Sequence, residues 1–128
     1  MNGDQTHLEI IQKYITAYNT FDIGGMLRDL HEDIYFENIY DGQVNLQTRG
    51  IVEFKTQAET AKKLFQRREQ KILDFKFKDN TAEVQIDFTG ILSNDPVNGS
   101  SAGTMIKMPG KSEFIFKERK IMQITDHS

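Results

Sequence analysis

Apolar residues fall three and four positions apart at the start of the chain: Leu8, Ile11, Tyr14, Ile15, Tyr18 and Phe21. That spacing lays one stripe on a helix from about Gln5 to Thr20. Thr6 and Glu9 fit a capping box, in which each side chain satisfies a free amide at the helix start. Asp22 is placed to cap a second, short helix carrying Ile23, Met26, Leu27 and Leu30. Its Gly24-Gly25 pair weakens it by about 1 kcal/mol per glycine relative to alanine, so it needs tertiary support. His31 then belongs to a loop. From Ile34 to Ile39 the pattern alternates, with Ile34, Phe36 and Asn38 on one face. Val44 to Thr48 reads as a partner strand across an Asp41-Gly42 turn. Ile51, Phe54, Ala58, Ala61 and Phe65 mark a third helix, from about Ile51 to Phe65.

From Arg68 onward the period is two. Leu73, Phe75 and Phe77 share a face, as do Ala82, Val84, Ile86 and Phe88, with Asp79-Asn80 as the hairpin turn between them. Ser93 to Gly103 is rich in turn-forming residues and reads as a loop or a strand extension. Thr104 to Lys117 resumes as a strand, with Pro109-Gly110 a candidate interruption and Ser112, Phe114 and Phe116 on one face. Glu118 to Lys120 turns the chain, and Ile121 to Asp126 closes the sheet. Helices first and antiparallel strands afterwards predict an α+β fold, with about three helices on one face of a curved sheet. Three helices leave part of a long bent sheet uncovered, and a pocket would form there.

Composition narrows the function classes. The 128 residues are expected to form one domain, 1–128. With 38% hydrophobic and 27% charged residues, the chain reads as an ordinary globular protein. A net charge of -3 argues against nucleic acid as a partner. No apolar run is long enough to span a bilayer, so no membrane partner is expected. MNGDQTH lacks the basic and apolar segments of a signal peptide. Cysteine is absent, which excludes disulfides and thiolate chemistry and fits a reducing compartment, so the expected location is the cytoplasm. His7, His31 and His127 have no metal-ligand spacing, and no glycine-rich phosphate loop occurs. No metal and no cofactor are expected. Lys62, Lys63, Arg67, Arg68 and Lys71, interrupted by Glu59 and Glu69, read as a solvated helix end.

The chemistry-bearing candidates face the expected pocket. Phe36, Phe54, Phe65, Met105 and Phe114 are candidates for its apolar wall. Tyr14 and Tyr18, four apart on one helical stripe, either pack in the core or bring their hydroxyls to a ligand. Asn38 shares its face with Ile34 and Phe36. Its amide is either satisfied by backbone or water, or serves as a neutral handle that orients a ligand. Asp126 follows Met122 and Ile124 at spacing two. If those face the core, Asp126 faces the pocket, where burial would raise its pKa and make it a usable acid or base; otherwise it is solvated at a frayed strand end.

The segments YITAYNTFDIGGMLRDLHEDIYFEN, RGIVEFKTQ and GTMIKMPGKSEFIFKERKIMQITD together resemble the nuclear-transport-factor-2-like superfamily, in its SnoaL-like branch. The resemblance covers nearly the whole chain. It implies a cystatin-like, cone-shaped α+β fold with an apolar cavity, and a homodimer packed through the sheet. Ketosteroid isomerases of that superfamily use a carboxylate base with a tyrosine and a protonated aspartic acid. Tyr14 matches the tyrosine, Asn38 the base and Ser112 the neutral acid. An amide cannot take a proton from carbon at neutral pH, so the resemblance does not extend to that mechanism. The histidine-containing segment of polyketide cyclases is also missing from SSAGTMIKMPG. Three functions are expected in this order. The first is binding of a small, mostly apolar molecule with polar handles, through Tyr14, Tyr18, Phe36, Asn38, Phe54, Met105, Ser112 and Phe114. The second is acid/base isomerisation, cyclisation or dehydration of a hydrophobic carbonyl or ring compound, with Asp126 and Tyr14 as catalytic residues. The third is a non-catalytic dimeric interaction module.

Overall fold

The first apolar stripe closes into helix α1 (Gly3–Asn19), whose Ile11, Tyr14 and Ile15 are buried. The structure, a computed structural model, describes residues 3–93 and 102–128. Because α1 begins at Gly3, Thr6 and Glu9 lie inside it and form no capping box. Asp22 does cap α2 (Ile23–Leu27), accepting from the Gly25 amide at 3.0 Å. After a turn at Arg28-Asp29 the chain enters β1 (Leu30–Tyr40), so Leu30 and His31 are strand residues rather than helix and loop. β2 (Gln43–Arg49) returns across Asp41-Gly42, where both φ angles are positive (53° and 78°), the geometry a tight hairpin requires. α3 (Ile51–Lys62) ends before Phe65, which begins the next strand.

The long strands β3 (Phe65–Lys78), β4 (Thr81–Leu92), β5 (Met105–Lys117) and β6 (Lys120–His127) complete one six-stranded sheet of order β2-β1-β6-β5-β4-β3. All neighbours are antiparallel except β1 and β6, which run parallel. β5 passes through Pro109-Gly110 without interruption, because Pro109 and Gly110 keep their places opposite Asp87 and Ile86. Of the loop expected over Ser93 to Gly103, residues 94–101 lie outside those described.

The register contains irregularities that alternation alone does not reveal. On β3 the pairing slips between Phe65 and Arg67 and again between Ile72 and Asp74. Each slip inserts one residue, which bends the strand and exchanges the faces beyond it. Leu73 is therefore 61% exposed, while Ile72, Phe75 and Phe77 pack on the core. A further slip between Ile115 and Phe116 puts Ile121 rather than Met122 on the inner face of β6, beside Ile124. The core lies between this inner face and the three helices, centred on Ile11, Ile34, Val84, Phe114, Phe116, Ile121 and Ile124. No helix among the described residues is long and apolar enough to cross a membrane.

Candidate functional site

Directly opposed residues in neighbouring strands share a face. The register therefore runs a row across the inner surface: Leu46 opposite Asn38, Asn38 opposite Asp126, Asp126 opposite Ser112, and Ser112 opposite Val84. Asp126 thus has an amide on one side and a hydroxyl on the other. Ser112 Oγ donates to Asp126 Oδ1 at 2.6 Å, a short charge-assisted hydrogen bond. By area Asp126 is only half-buried, because it faces cavities inside the fold. Its carboxyl is nevertheless shielded from bulk water, and this burial pushes its pKa up to about 6, against weaker opposing pulls from the Ser112 hydrogen bond and His127.

The larger of these cavities, about 350 Å³, opens between α1, α3 and the sheet. Tyr14, Tyr18, Phe36, Leu46, Phe54 and Phe65 supply ring and aliphatic walls, and Ala58 and Ala61 leave the space free on the α3 side. A second cleft of about 170 Å³ lies toward Met108 and Lys111. Tyr18, Asn38, Gln70 and Asp126 border both. Tyr14 packs edge-on to Phe114, and no group among the described residues takes up its hydroxyl by a hydrogen bond. Burial first, and then the Asp126 charge, raise its pKa well above the ordinary phenol value. The Tyr18 hydroxyl is pushed up to about 12, chiefly by burial, with Arg68 pulling it down. Both tyrosines are neutral hydrogen-bond donors at any physiological pH.

The sequence reading missed Arg68. It stands not at a solvated helix end but on β3 between the two slips, 5% exposed. The C-terminus of α1 explains its position. The amides of Asp22 and Phe21 bond to the carbonyls of Ala17 and Tyr18, and Phe21 takes φ 60°, which together make a Schellman turn. Arg68 Nε donates to the same Tyr18 carbonyl at 2.8 Å. Its guanidinium lies 3.7 Å from the centre of the Tyr18 ring and 4.6 Å from that of Phe21. Asn19 ties the same helix end to β3 by exchanging two hydrogen bonds with the Gln70 backbone. The first slip puts odd-numbered Phe65 and even-numbered Arg68 on one cavity wall, and the second puts Arg68 on the same side as odd-numbered Phe75 and Phe77. A strict two-residue period hides this, and the run of positive charges around Arg68 concealed it further.

Tyr14, Tyr18, Phe36, Asn38, Phe54 and Asp126 are brought together at the large cavity. Asn38 is satisfied at one end of its amide by Asn45 on β2, at 2.9 Å, rather than by backbone. Ser112 reaches the site through Asp126 and borders the second cleft. Phe114 is 1% exposed and supports Tyr14 from behind, as core. Met105 is 58% exposed at the far start of β5 and lines neither cavity, because alternation turns it away. No cluster of three or more potential metal ligands occurs among the described residues.

No family model and no curated protein matches the sequence. Solved structures do. A protein from Xanthomonas campestris proposed to be a polyketide cyclase superposes with a TM-score of 0.85 at 18% identity, covering 99% of this chain and 93% of its own. A nuclear-transport-factor-2-like protein of unknown function from Burkholderia pseudomallei gives 0.79 at 13% identity, over 95% of this chain and 89% of its own. An LEH-like epoxide hydrolase from M. tuberculosis also gives 0.79 at 13% identity, over 98% and 84%. At these identities the likeness establishes the fold: three helices on a mixed, mostly antiparallel sheet, nuclear-transport-factor-2-like and cystatin-like.

Proposed function

We propose that this chain binds a small, mostly apolar molecule in the cavity beneath α1 and α3, with the molecule's polar end toward Asp126 and the tyrosine hydroxyls. The observation that carries this reading is an apolar-walled space of about 350 Å³ in which a carboxyl and two neutral phenols converge. That is within the size range of small-molecule sites, which combine apolar walls with a few placed polar groups. Titration with the neutral fluorophore N-phenyl-1-naphthylamine tests it. Saturable binding is expected, and Ala61→Phe, which puts a ring into the cavity, is expected to weaken it at least about tenfold. Equal binding by both proteins would remove the cavity from consideration. The same reading pairs two copies through the outer face of the sheet. Sedimentation would then give twice 14.8 kDa, and a monomer at micromolar concentration would refute the pairing.

A second reading, acid/base catalysis, is favoured by the Asp126 pKa of about 6. Such a carboxylate is mostly ionised at neutral pH, yet it is a stronger base than an ordinary aspartate. It could take a proton from the carbon next to a carbonyl while Tyr14 donates a hydrogen bond to the developing oxyanion. The proton then returns from Asp126 to another carbon for isomerisation, to the departing hydroxide for dehydration, or, for cyclisation, to the alkoxide formed when the enolate carbon attacks a second carbonyl of the same molecule. Asn38 cannot take the base role. Deuterium exchange into 2-tetralone, followed by NMR, is expected to be faster with the protein than in buffer and to fall to the buffer rate with Asp126→Asn. Exchange that is no faster than buffer, with 2-tetralone bound, would reject catalysis and leave binding intact.

A further inference from the structure

Arg68 is a buried cation with unused hydrogen-bonding capacity. Its Nε is spent on the Tyr18 carbonyl and its faces on two aromatic rings, yet Nη2 is shut away from solvent with no hydrogen-bond partner among the described residues. No carboxylate among the described residues forms an ion pair with it. Latching the end of α1 explains Nε and the stacking but not the rest of the guanidinium. An uncompensated buried charge is costly, and burial accordingly lowers the pKa of Arg68. Gly90 stands directly opposite it on β4, and the Phe65 ring lies over that glycine, leaving no room there for a Cβ. Arg68 also lines the large cavity. Tyr14 and Tyr18 feel the charges of both Arg68 and Asp126, and all four residues line the same cavity.

We infer that Arg68 is the anion-binding group of the cavity and that the molecule bound there is an apolar acid, its ionised oxygen paired with the guanidinium. This rests on the cavity being the binding site, as proposed above, and it supplies the ligand's chemical class. A planar guanidinium with free N–H groups fits a carboxylate better than it fits a neutral carbonyl, because two parallel charge-assisted bonds can form. An ionised oxygen in the cavity would neutralise the buried charge, and it would reach Nη2 once the guanidinium turns toward the cavity, because no oxygen-sized space touches that atom in this structure. The ligand's apolar body would then run past the tyrosine rings, with its acid at Arg68 and any second polar group toward Asp126 and the tyrosine hydroxyls.

Calorimetric titration with 2-naphthoate and 2-naphthamide, which share one apolar body, separates the acid from its neutral analogue. The wild type is expected to prefer 2-naphthoate by at least about tenfold. Arg68→Met is expected to erase that preference while keeping its affinity for 2-naphthamide, and Ala61→Phe to weaken both. A crystal structure of the 2-naphthoate complex should put the carboxylate within hydrogen-bond reach of Arg68, which decides the matter even if Arg68→Met does not fold. Equal affinity for acid and amide, or a carboxylate seated elsewhere, overturns the assignment and leaves the cavity reading standing. Failure of both probes and of neutral N-phenyl-1-naphthylamine overturns both. 2-Naphthoate bound undiminished by Ala61→Phe marks a surface site and also overturns the assignment.

Discussion

At Asp126 fold stability and site chemistry pull in opposite directions. Its carboxyl titrates near 6 in the folded chain, against 3.8 for an ordinary aspartate. Between those values the folded chain holds the proton and the unfolded chain does not, so stability falls as pH rises through this window. At pH 7 the ionised group costs on the order of 3 kcal/mol. Asp126→Asn, which keeps an acceptor for Ser112, is expected to be about 2 kcal/mol more stable than the wild type at pH 7 and nearly equal to it at pH 4. Urea melts at the two values measure this, and no gain at pH 7 would mean that the carboxyl is better solvated than its surroundings imply. Asp126 was legible from its spacing to Ile124, and Tyr14 and Tyr18 from their helical stripe. Arg68 was not, because its inward direction depends on inserted residues in β3 that leave no mark on composition or period.

Elements in this fold were most legible where they are regular and least so where one gives way to another. The stripes of α1 and α3 predicted both helices, but the ends of α3 and the start of β1 were set by packing and pairing that sequence spacing does not carry. The entry to α3 shows what such a junction demands. Gly50 takes φ 85° and ψ 159°, donates to the Ile34 carbonyl at 2.8 Å, and accepts from Phe54. A Cβ there has room, its nearest neighbour being the Glu32 carbonyl oxygen at 3.8 Å. The cost of Gly50→Ala is therefore conformational, about 1–3 kcal/mol in a region essentially restricted to glycine. Chemical denaturation reads that loss directly. A loss below about 0.5 kcal/mol would show that the α3 entry can relax to ordinary angles, unlike the strained turn described here. Because α3 carries Phe54, Ala58 and Ala61, the same change is expected to loosen the cavity wall.

Across the whole molecule, the two faces of the sheet divide the work. The inner face holds the core and the cavity. The outer face carries polar contacts, with the Tyr35 hydroxyl 3.0 Å from Glu37, Thr125 donating to Glu37 at 3.1 Å, and His127 2.9 Å from Glu113. The overall α+β layering was legible because helical and strand periods occupy separate stretches. The strand order was not, since alternation assigns faces but not neighbours. That order has a consequence for synthesis. β6 is the last of these six strands to leave the ribosome, yet it lies in the middle of the sheet, between β1 and β5. Until it emerges, β1 and β2 have no edge to join, and the two halves of the sheet wait apart for a pairing that spans about ninety positions, the kind of distant contact that slows folding. A chain ended at Glu118 is expected to show no cooperative melt by circular dichroism, whereas a sharp transition would mean that the halves hold without their centre. The residues that join the halves also deliver Asp126, so a nascent chain gains its acidic group only in the step that completes its sheet.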